Sequence, residues 1–433
     1  MHYCRKYCLM VGCLLVLCSA IRAQDTLTSA TVESRSYVFF TQGDWDELIS
    51  FGNTALSKGF DYYYLRYRLG VACFSEKKYR QAQNHFEKAV AFNSTDEAME
   101  YLYYCYLYIG QYERARWLTK SFSPAAITYT GSDKLKAFSY ATLEAGVAHT
   151  DSTVQFSNYY YGQIGAGFYV NRRFSMFASG TYFAQDNFRE NTRQFQFYVN
   201  GRIPLKHGWT LTVGVQPIVR NSAAKTYTND SITFYSRDTI PSKIFPHPRD
   251  SIIKMSHKRD SLITNTQASQ RKINFIGAVS LTKSVSNFDI SLGSAIGAFD
   301  TTTQYEHYLG VSYYPLGNSI LAITETGFLH TETNYTSTHT GLLSSIAVSP
   351  SEKFSFTISY LANTGGNLIE NDGYLVNGEP DFMVARLSLL ANLAISKSVD
   401  IYGVYQRQDN IEFHEHWPFQ YNLFVIGLKY IPK

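Results

Sequence analysis

The sequence predicts an α + β multidomain protein in which a short α-helical solenoid precedes a transmembrane antiparallel β-barrel of about 14 strands. Three observations predict this fold class. Helical spacing of apolar residues stops near residue 125, and strict alternation of apolar and small or polar residues then recurs as far as Tyr430. Charged residues are only 17% of the 433 residues, against about 25% in ordinary soluble domains. Short and long connections alternate between the predicted strands, as in barrels that cross a membrane.

Residues 1–23 have the features of a secretory signal peptide. Arg5 and Lys6 form a positive n-region, Leu9–Leu17 is a short apolar segment, and Ala23 offers a cleavage site. The apolar segment is too short to span a bilayer, which disfavours a transmembrane anchor as the alternative. Cleavage leaves a nearly neutral chain, and near-neutrality argues against a nucleic-acid partner.

Residues 24–125 contain a helical repeat of about 34 residues. The aromatic residues that mark this interval are Trp45, Tyr79 and Tyr112, and the apolar residues three positions after them are Leu48, Ala82 and Ala115. The pattern resembles the tetratricopeptide repeat, in which small residues let paired helices approach closely and aromatic residues fill the groove between them. The resemblance implies a solenoid that binds a protein partner.

Four tyrosines in the second repeat are the candidate residues for binding this partner. They are Tyr62, Tyr63, Tyr64 and Tyr67. The alternative is that these tyrosines pack within the solenoid. Ser123–Pro124 is expected to end the helices, a linker is expected over 126–136, and the barrel is expected over 137–433.

The strand Phe354–Tyr360 shows the predicted chemistry of the two barrel faces. Successive side chains of a strand point to opposite faces, so Phe354, Phe356, Ile358 and Tyr360 share one face. Ser355, Thr357 and Ser359 share the other. Aromatic residues outside with small and polar residues inside are typical of a membrane barrel. Glu325 fits neither face well, because Ile323 occupies its side of the strand, and a bulge is expected there.

The lengths of the connections predict how the barrel lies in the membrane. Short turns belong at the periplasmic end and long loops at the outside. The predicted long links include 185–192, 221–272 and 363–381. With the first strand running outward, both barrel termini lie in the periplasm together with residues 24–125. We therefore expect the chain in the outer membrane of a diderm bacterium. The long loop over 221–272 is expected outside the cell, either as a binding element, as a plug that enters the lumen, or as a solvated loop.

Charged residues on the inward positions of the predicted strands are the candidates for lining the lumen. They are Glu144, Arg202, Asp289, Glu306, Arg386 and Lys429. Charges at these positions either pair across the lumen and close it, or line a water path and set its selectivity. The pattern leaves both alternatives open.

Motifs that carry chemistry are weak in this sequence. Ser337 and His339 lie on one face of a predicted strand, as a lipid hydrolase on the barrel wall requires. No Asn, Asp or Glu at a telling spacing would orient the histidine. His414-Glu415-His416 is better explained as a solvated loop than as a metal site. We expect no cofactor, no metal and no enzymatic activity.

The order of the domains resembles outer-membrane proteins that join a periplasmic tetratricopeptide module to a β-barrel, as in the YaiO-like group and the polysaccharide-export porins. The resemblance implies a transport (porin-like) or structural barrel that docks a periplasmic partner, in envelope polysaccharide handling. The alternatives are an outer-membrane lipid-modifying enzyme and a non-conducting anchor for a periplasmic complex.

Overall fold

The computed structural model describes residues 27–132, 136–150, 158–186, 190–227, 263–266, 270–299, 302–333, 338–364, 368–376, 382–411 and 418–432. The predicted signal peptide and most of the loop over 221–272 lie outside these residues. The chain divides into two compact units, Met1–Gly131 and Ser132–Lys433. Among the described residues, no helix has the length and apolar character needed to span a membrane.

Seven α-helices form the described part of the first unit. They are α1 (Ser29–Gln42), α2 (Trp45–Ser57), α3 (Tyr63–Ser75), α4 (Tyr79–Phe92), α5 (Asp96–Tyr108), α6 (Tyr112–Leu118) and α7 (Pro124–Thr130). Helices α1, α3 and α5 begin about 34 residues apart, and so do α2, α4 and α6. Consecutive helices from α1 to α6 contact each other.

Small residues allow these helices to pack closely. The repeat positions that are fully buried are Leu48, Ala82 and Ala115. A Cβ atom added to Gly70 on α3 would lie only 2.7 Å from the ring of Phe86 on α4. The Phe86 ring in turn stacks on Tyr101 of α5, with 5.1 Å between the ring centroids. The helical unit therefore has a continuous apolar core that depends on glycine and alanine at the helix contacts.

The helices continue beyond the point at which the sequence predicts their end. The Ser123 hydroxyl accepts a hydrogen bond from the Ala126 N–H, and Pro124 occupies the first position of α7. Proline is favoured there, because an N–H at that position has no partner within the helix. Gly131 ends α7 in the left-handed conformation. The prediction of a linker over 126–136 is thus wrong for its first half, since Ser-Pro begins a helix here.

Fourteen antiparallel strands of the described chain form one closed barrel, which confirms the predicted fold class. The barrel strands are β1 (Phe138–Thr150), β2 (Tyr159–Tyr169), β3 (Ser175–Asp186), β4 (Glu190–Pro204), β5 (Trp209–Tyr227), β7 (Gln270–Val285), β8 (Phe288–Phe299), β9 (Thr302–Tyr313), β10 (Leu321–Glu332), β11 (Thr338–Ser351), β12 (Phe354–Asn363), β15 (Phe382–Ser396), β16 (Val399–Ile411) and β17 (Pro418–Tyr430). Three further strands are short. β6 (Ile263–Thr266) pairs with the end of β5, and β13 (Ile369–Glu370) pairs with β14 (Leu375–Val376). The barrel closes because β1 pairs with β17 and β4 pairs with β5.

Both ends of the barrel sequence lie at the same end of the barrel, because an even number of strands is arranged antiparallel. The turns at this end are short: β7 ends at Val285 and β8 begins at Phe288. The connections at the other end are not uniformly long. The predicted long link over 185–192 is wrong, since β3 reaches Asp186 and β4 begins at Glu190. Arg193 pairs with Asp186 at 2.6 Å and holds this hairpin together.

The outward face of the barrel is a belt of large apolar side chains. Members that are more than a third exposed are Leu143, Ile164, Phe197, Val213, Ile273, Leu292, Leu309, Ile358, Leu393 and Ile426. Glu325 belongs to this outward face. The predicted bulge is wrong, since β10 pairs in continuous register on both sides, with Val311 and Ser344 opposite Glu325.

The inward face is more aromatic than the sequence pattern predicts. Three of its tyrosines lie flat over glycines of the neighbouring strand, leaving no room for a Cβ atom. The pairs are Tyr161 over Gly146, Tyr308 over Gly293 and Tyr402 over Gly427. The inward face therefore holds large aromatic rings beside the small and polar residues that the alternation predicts. Alternation gives the face of a residue, but it does not show that glycine makes room for a ring next to it.

Candidate functional site: a plugged lumen

A short segment between β12 and β15 crosses the interior of the barrel. Residues 368–376, here named the plug, comprise β13, a 3-10 turn over Asn371–Gly373 and β14. The turn contacts β5, β7 and β8, on the other side of the barrel from the strands that carry the plug. This segment is part of a connection that the sequence places outside the cell. The loop over 221–272, for which a plug in the lumen was one of the expected alternatives, lies mostly outside the described residues.

A buried ion pair holds the base of the plug. The two terminal nitrogens of Arg386 on β15 donate to the two carboxylate oxygens of Glu370, at 2.6 and 2.5 Å. The two side chains are only 12% and 5% exposed. A bidentate guanidinium–carboxylate contact is among the strongest and most directional pairs in proteins. It fixes the plug to the wall in one orientation.

A second carboxylate binds the backbone of the plug. One oxygen of Glu306 on β9 accepts a hydrogen bond from the Ile369 N–H at 2.9 Å. The other oxygen has no hydrogen-bond partner among the described residues, although Glu306 is fully buried. His330 lies opposite on β10, is also fully buried, and has no such partner for either ring nitrogen. Buried polar atoms without partners destabilise the closed arrangement relative to one that water reaches.

The tip of the plug is a tight turn with unusual backbone angles. Asn371, Asp372 and Gly373 have φ angles of 52°, 56° and 85°, which these three residue types tolerate better than others. The hydroxyl of Tyr308 donates to the Asp372 carboxylate at 2.5 Å, and that of Tyr198 donates to the Asp372 carbonyl at 3.2 Å. The turn therefore presents both backbone and side-chain acceptors to tyrosines of the wall.

Apolar contacts fill the rest of the space around the plug. The ring of Tyr374 packs against those of Tyr198 and Phe177, with centroid distances of 5.1 and 5.9 Å. Its hydroxyl donates to Gln163 at 2.7 Å. Leu368 packs with Phe328, Leu361 and Met383, and Ile369 packs with Ile218, Ile276, Ala278 and Ala295.

One glycine of the barrel wall leaves room for the plug. A Cβ atom added to Gly214 on β5 would collide with the carbonyl oxygen of Asp372. Gly214 is therefore required for the turn to seat against β5. The sequence contains a signal for the plug, since Asn-Asp-Gly is a strong turn sequence. What it does not contain is any indication that this turn points inward.

The six predicted lumen residues have different roles in the structure. Glu306 and Arg386 hold the plug, as described above. Glu144 accepts a hydrogen bond from the hydroxyl of Tyr402, and the ammonium of Lys429 lies 4.8 Å from the centre of the Tyr140 ring. The remaining two, Arg202 and Asp289, lie on the inward faces of β4 and β8.

The four candidate tyrosines of the helical unit also differ in their surroundings. Tyr63 hydrogen-bonds Thr95 at 2.7 Å, and Tyr67 packs against Phe86 and Tyr101. Burial raises the pKa of Tyr67 to about 12, and burial together with Glu33 raises the pKa of Tyr62 to about 12. Tyr64 differs, because it is 58% exposed and its ring lies 5.7 Å from the guanidinium carbon of Arg68.

The residues predicted for a lipid hydrolase do not form a site in the described chain. His339 stacks on His330, at 5.0 Å between ring centroids, on the inward face of β11. A hydrolase on the barrel wall needs this histidine on the outward face. Ser337 and His414-Glu415-His416 lie outside the described residues. No group of three metal-ligating side chains occurs among the described residues.

Comparisons with known proteins add little beyond the fold. No protein-family model matches the sequence, and no curated protein matches it. Among solved structures, a Pseudomonas aeruginosa FadL homologue aligns over 68% of this chain and 90% of its own, with 8% identity and a TM-score of 0.43. The monoaromatic hydrocarbon channel CymD aligns over 72% and 92%, with 7% identity and a TM-score of 0.44. The Pseudomonas putida toluene transporter TodX aligns over 71% and 92%, with 10% identity and a TM-score of 0.41. Such low likenesses indicate nothing about what this chain carries.

Proposed function

We propose that this chain is an outer-membrane β-barrel in which the plug gates a transport path, and that its helical unit docks a periplasmic protein. The observation that carries the proposal is the buried Arg386–Glu370 pair at the base of the plug. A buried ion pair adds little net stability compared with apolar packing, and its best-attested use is to select one arrangement over another. Such a pair is better suited to a segment that leaves the lumen and returns to it than to a permanent core.

The unpaired polar atoms behind the plug support the same proposal. Glu306 has one oxygen, and His330 two nitrogens, without hydrogen-bond partners among the described residues. Leaving such a group buried costs about 1–3 kcal/mol. Withdrawal of the plug would let water reach these atoms and so remove this free-energy cost. The specific contacts of the plug must therefore outweigh the cost in the closed state.

The outward belt supports a place in the outer membrane. Large apolar side chains at alternate positions of a closed barrel are stable only against lipid. The short turns, which belong at the periplasmic end, lie at the end where β1 begins and β17 ends. The helical unit precedes β1 in the chain, so this orientation puts it in the periplasm.

The helical repeat supports docking of a protein partner. Two interleaved series of helices with an interval of about 34 residues are typical of tetratricopeptide solenoids, whose concave faces bind proteins. Tyr64 is the one candidate tyrosine that is largely exposed. The tyrosines of the lumen each offer a flat apolar face and a hydroxyl, which suits contact with sugar rings and supports a role in envelope polysaccharide handling.

Conductance of the purified full chain in a planar lipid bilayer tests the gate. We expect the wild type to be closed for most of the time and Arg386→Met to conduct, because Glu370 then loses its counter-charge. Arg407→Met is the matched control, since the Arg407–Asp409 pair is 3.4 Å long and about half exposed, and it should leave conductance unchanged. Equal conductance of all three chains would contradict the proposal.

A non-conducting anchor is the second candidate, because the plug lies in the lumen in the observed state. Deletion of residues 368–376 distinguishes the gated transport path from the non-conducting anchor. A barrel that folds but still conducts no ions without the plug would favour the anchor and exclude transport.

A further inference from the structure

One carboxylate of the lumen is surrounded by tyrosines instead of cations. Glu144 lies on the inward face of β1, and one of its oxygens accepts a hydrogen bond from the Tyr402 hydroxyl. The hydroxyls of Tyr161 and Tyr374 lie within electrostatic range of the same carboxylate. Glu144 forms no ion pair with any other side chain of the described residues. An ionisable group at membrane depth is usually paired or marks the path of a ligand.

The two strands beside β1 supply no counter-charge for Glu144. β2 carries no basic residue, and the one basic residue of β17 is Lys429. Lys429 lies two positions from Gly427, the residue opposite Glu144. Its ammonium lies 4.8 Å from the centre of the Tyr140 ring. This wall therefore already holds one cation against a tyrosine face, while the charge of Glu144 stays unbalanced by its neighbours.

Two tyrosines present their ring faces beside this carboxylate. Tyr402 lies over Gly427, opposite Glu144, and Tyr161 lies over Gly146, two residues after Glu144. Because each ring rests on a glycine of the wall, its other face is turned to the lumen. The face of an aromatic ring carries negative charge density and attracts cations. Glu144, Tyr161, Tyr402 and Tyr374 are here named the tyrosine cage.

The plug supplies the fourth member of the cage and leaves the cage accessible from one end. The Tyr374 hydroxyl donates to Gln163 at 2.7 Å, and Gln163 lies opposite Glu144 on β2. Further along β1, Ala148 and Thr150 are only 0% and 2% exposed, whereas Glu144 is half-buried. The cage therefore opens toward the end of the barrel at which β1 begins, with the plug in place.

We propose that the tyrosine cage binds an organic ammonium ion, whose charge is balanced by Glu144 and whose carbon substituents pack on Tyr161 and Tyr402. A carboxylate alone also attracts metal cations, and ring faces alone accept any apolar group. Together they select a cation with an apolar surface, of which a quaternary ammonium is the clearest example. This inference goes beyond the proposed function and does not depend on the gate, because the cage is complete while the plug is seated.

Calorimetric titration of the purified full chain with choline tests the cage. The matched ligand is 3,3-dimethyl-1-butanol, which has the shape of choline but carries carbon in place of the charged nitrogen. We expect choline to bind, and the alcohol to bind about tenfold more weakly or not at all, because only choline gains the cation–π and carboxylate attractions. Equal affinity for the two ligands would show a merely apolar pocket and overturn the proposal.

Variants of the chain give a second test. Glu144→Gln removes the charge but keeps the size of the side chain, and Tyr402→Leu removes one ring face; each should weaken choline binding about tenfold. Glu325→Gln is the matched control, since Glu325 also accepts a hydroxyl hydrogen bond, from Ser344, but lies on the outward face, and it should leave the affinity unchanged. An unchanged affinity of Glu144→Gln would overturn the proposal.

A heat-dependent shift in gel mobility, measured on the same samples, reports whether the barrel is intact. Wild-type chain that shows this shift but binds no choline would overturn the cage alone. Loss of the shift would refute the membrane assignment as well, and the conductance of Arg386→Met tests the gate separately.

Discussion

The helical unit and the interior of the barrel differ in how they bury charge. The helical core is built from apolar contacts such as Phe86 against Gly70 and Tyr101, and its buried Arg68 and Arg114 pair with carboxylates that are 44% and 38% exposed. The barrel buries both partners of an ion pair, Arg386 and Glu370. Apolar packing stabilises a fold in proportion to the area buried, whereas buried charges select one arrangement. On the gating proposal, the first unit stays folded while the interior of the second changes state.

The largest expected effect is the change in conductance when a side chain is added at Gly214. Gly214→Leu places atoms where the Asp372 carbonyl lies, so the plug cannot seat and the bilayer conductance should rise to that of the plug deletion. Gly180→Leu is the matched control, because nothing lies within 4 Å of a Cβ atom at that outward glycine. A closed Gly214→Leu channel would show that the plug does not close the path.

A cavity in the helical core should destabilise that unit alone. Phe86 is fully buried, and Phe86→Ala is expected to cost about 3–5 kcal/mol. The urea midpoint of the helical circular-dichroism signal should fall, while the heat-dependent gel shift of the barrel and its conductance stay unchanged. A simultaneous loss of the barrel signal would mean that the two units are not independent in stability.

The two faces of one barrel strand should tolerate charge differently. Ile358→Lys puts an ammonium on the outward belt and should cost about 2–4 kcal/mol near the midplane, which reduces the amount of assembled barrel. Thr357→Lys points inward, where water or polar groups can meet it, and should assemble normally. Immunoblots of outer-membrane fractions measure both, and equal assembly would show that the faces are assigned in reverse.

Acid should weaken the helical unit modestly. Burial, together with the nearby guanidinium of Arg66, lowers the pKa of His85 from 6.5 to about 4. Between these two values the unfolded chain binds the extra proton and the folded chain does not, so stability falls as the pH falls from about 6.5 to about 4. The urea midpoint should therefore be lower at pH 5 than at pH 7. His85→Gln should reduce this difference, and His149→Gln, an exposed barrel residue, should not.

The sequence was most informative where one periodicity dominated. Alternation over Phe354–Tyr360 and its counterparts predicted a barrel of the observed strand number, because side chains with a period of two can bury or expose only one face. Local patterns were less informative at boundaries. Ser123-Pro124 signals a helix start as well as a stop, and the hairpin between Asp186 and Glu190 extends past the apolar alternation. Glu325 contradicted its own strand pattern without a bulge.

The sequence likewise predicted some features of the candidate site and not others. Six charged residues were placed on the inward face from alternation alone, but the pattern could not show that Arg386 and Glu306 hold the plug. Their partners are a side chain and a backbone N–H of a connection that the sequence placed outside the cell. The sequence Asn371-Asp372-Gly373 favours a turn, whereas the position of that turn in the lumen depends on contacts with β5, β7 and β8, far away in the chain.

The sequence by itself determined the two units, the strand number and the chemistry of the outward belt, because these follow from local periodicity and solvation. The tertiary structure alone decided that a segment enters the lumen, which segment it is, and which charges meet. These features depend on contacts between residues far apart in the chain, and no local pattern encodes such contacts.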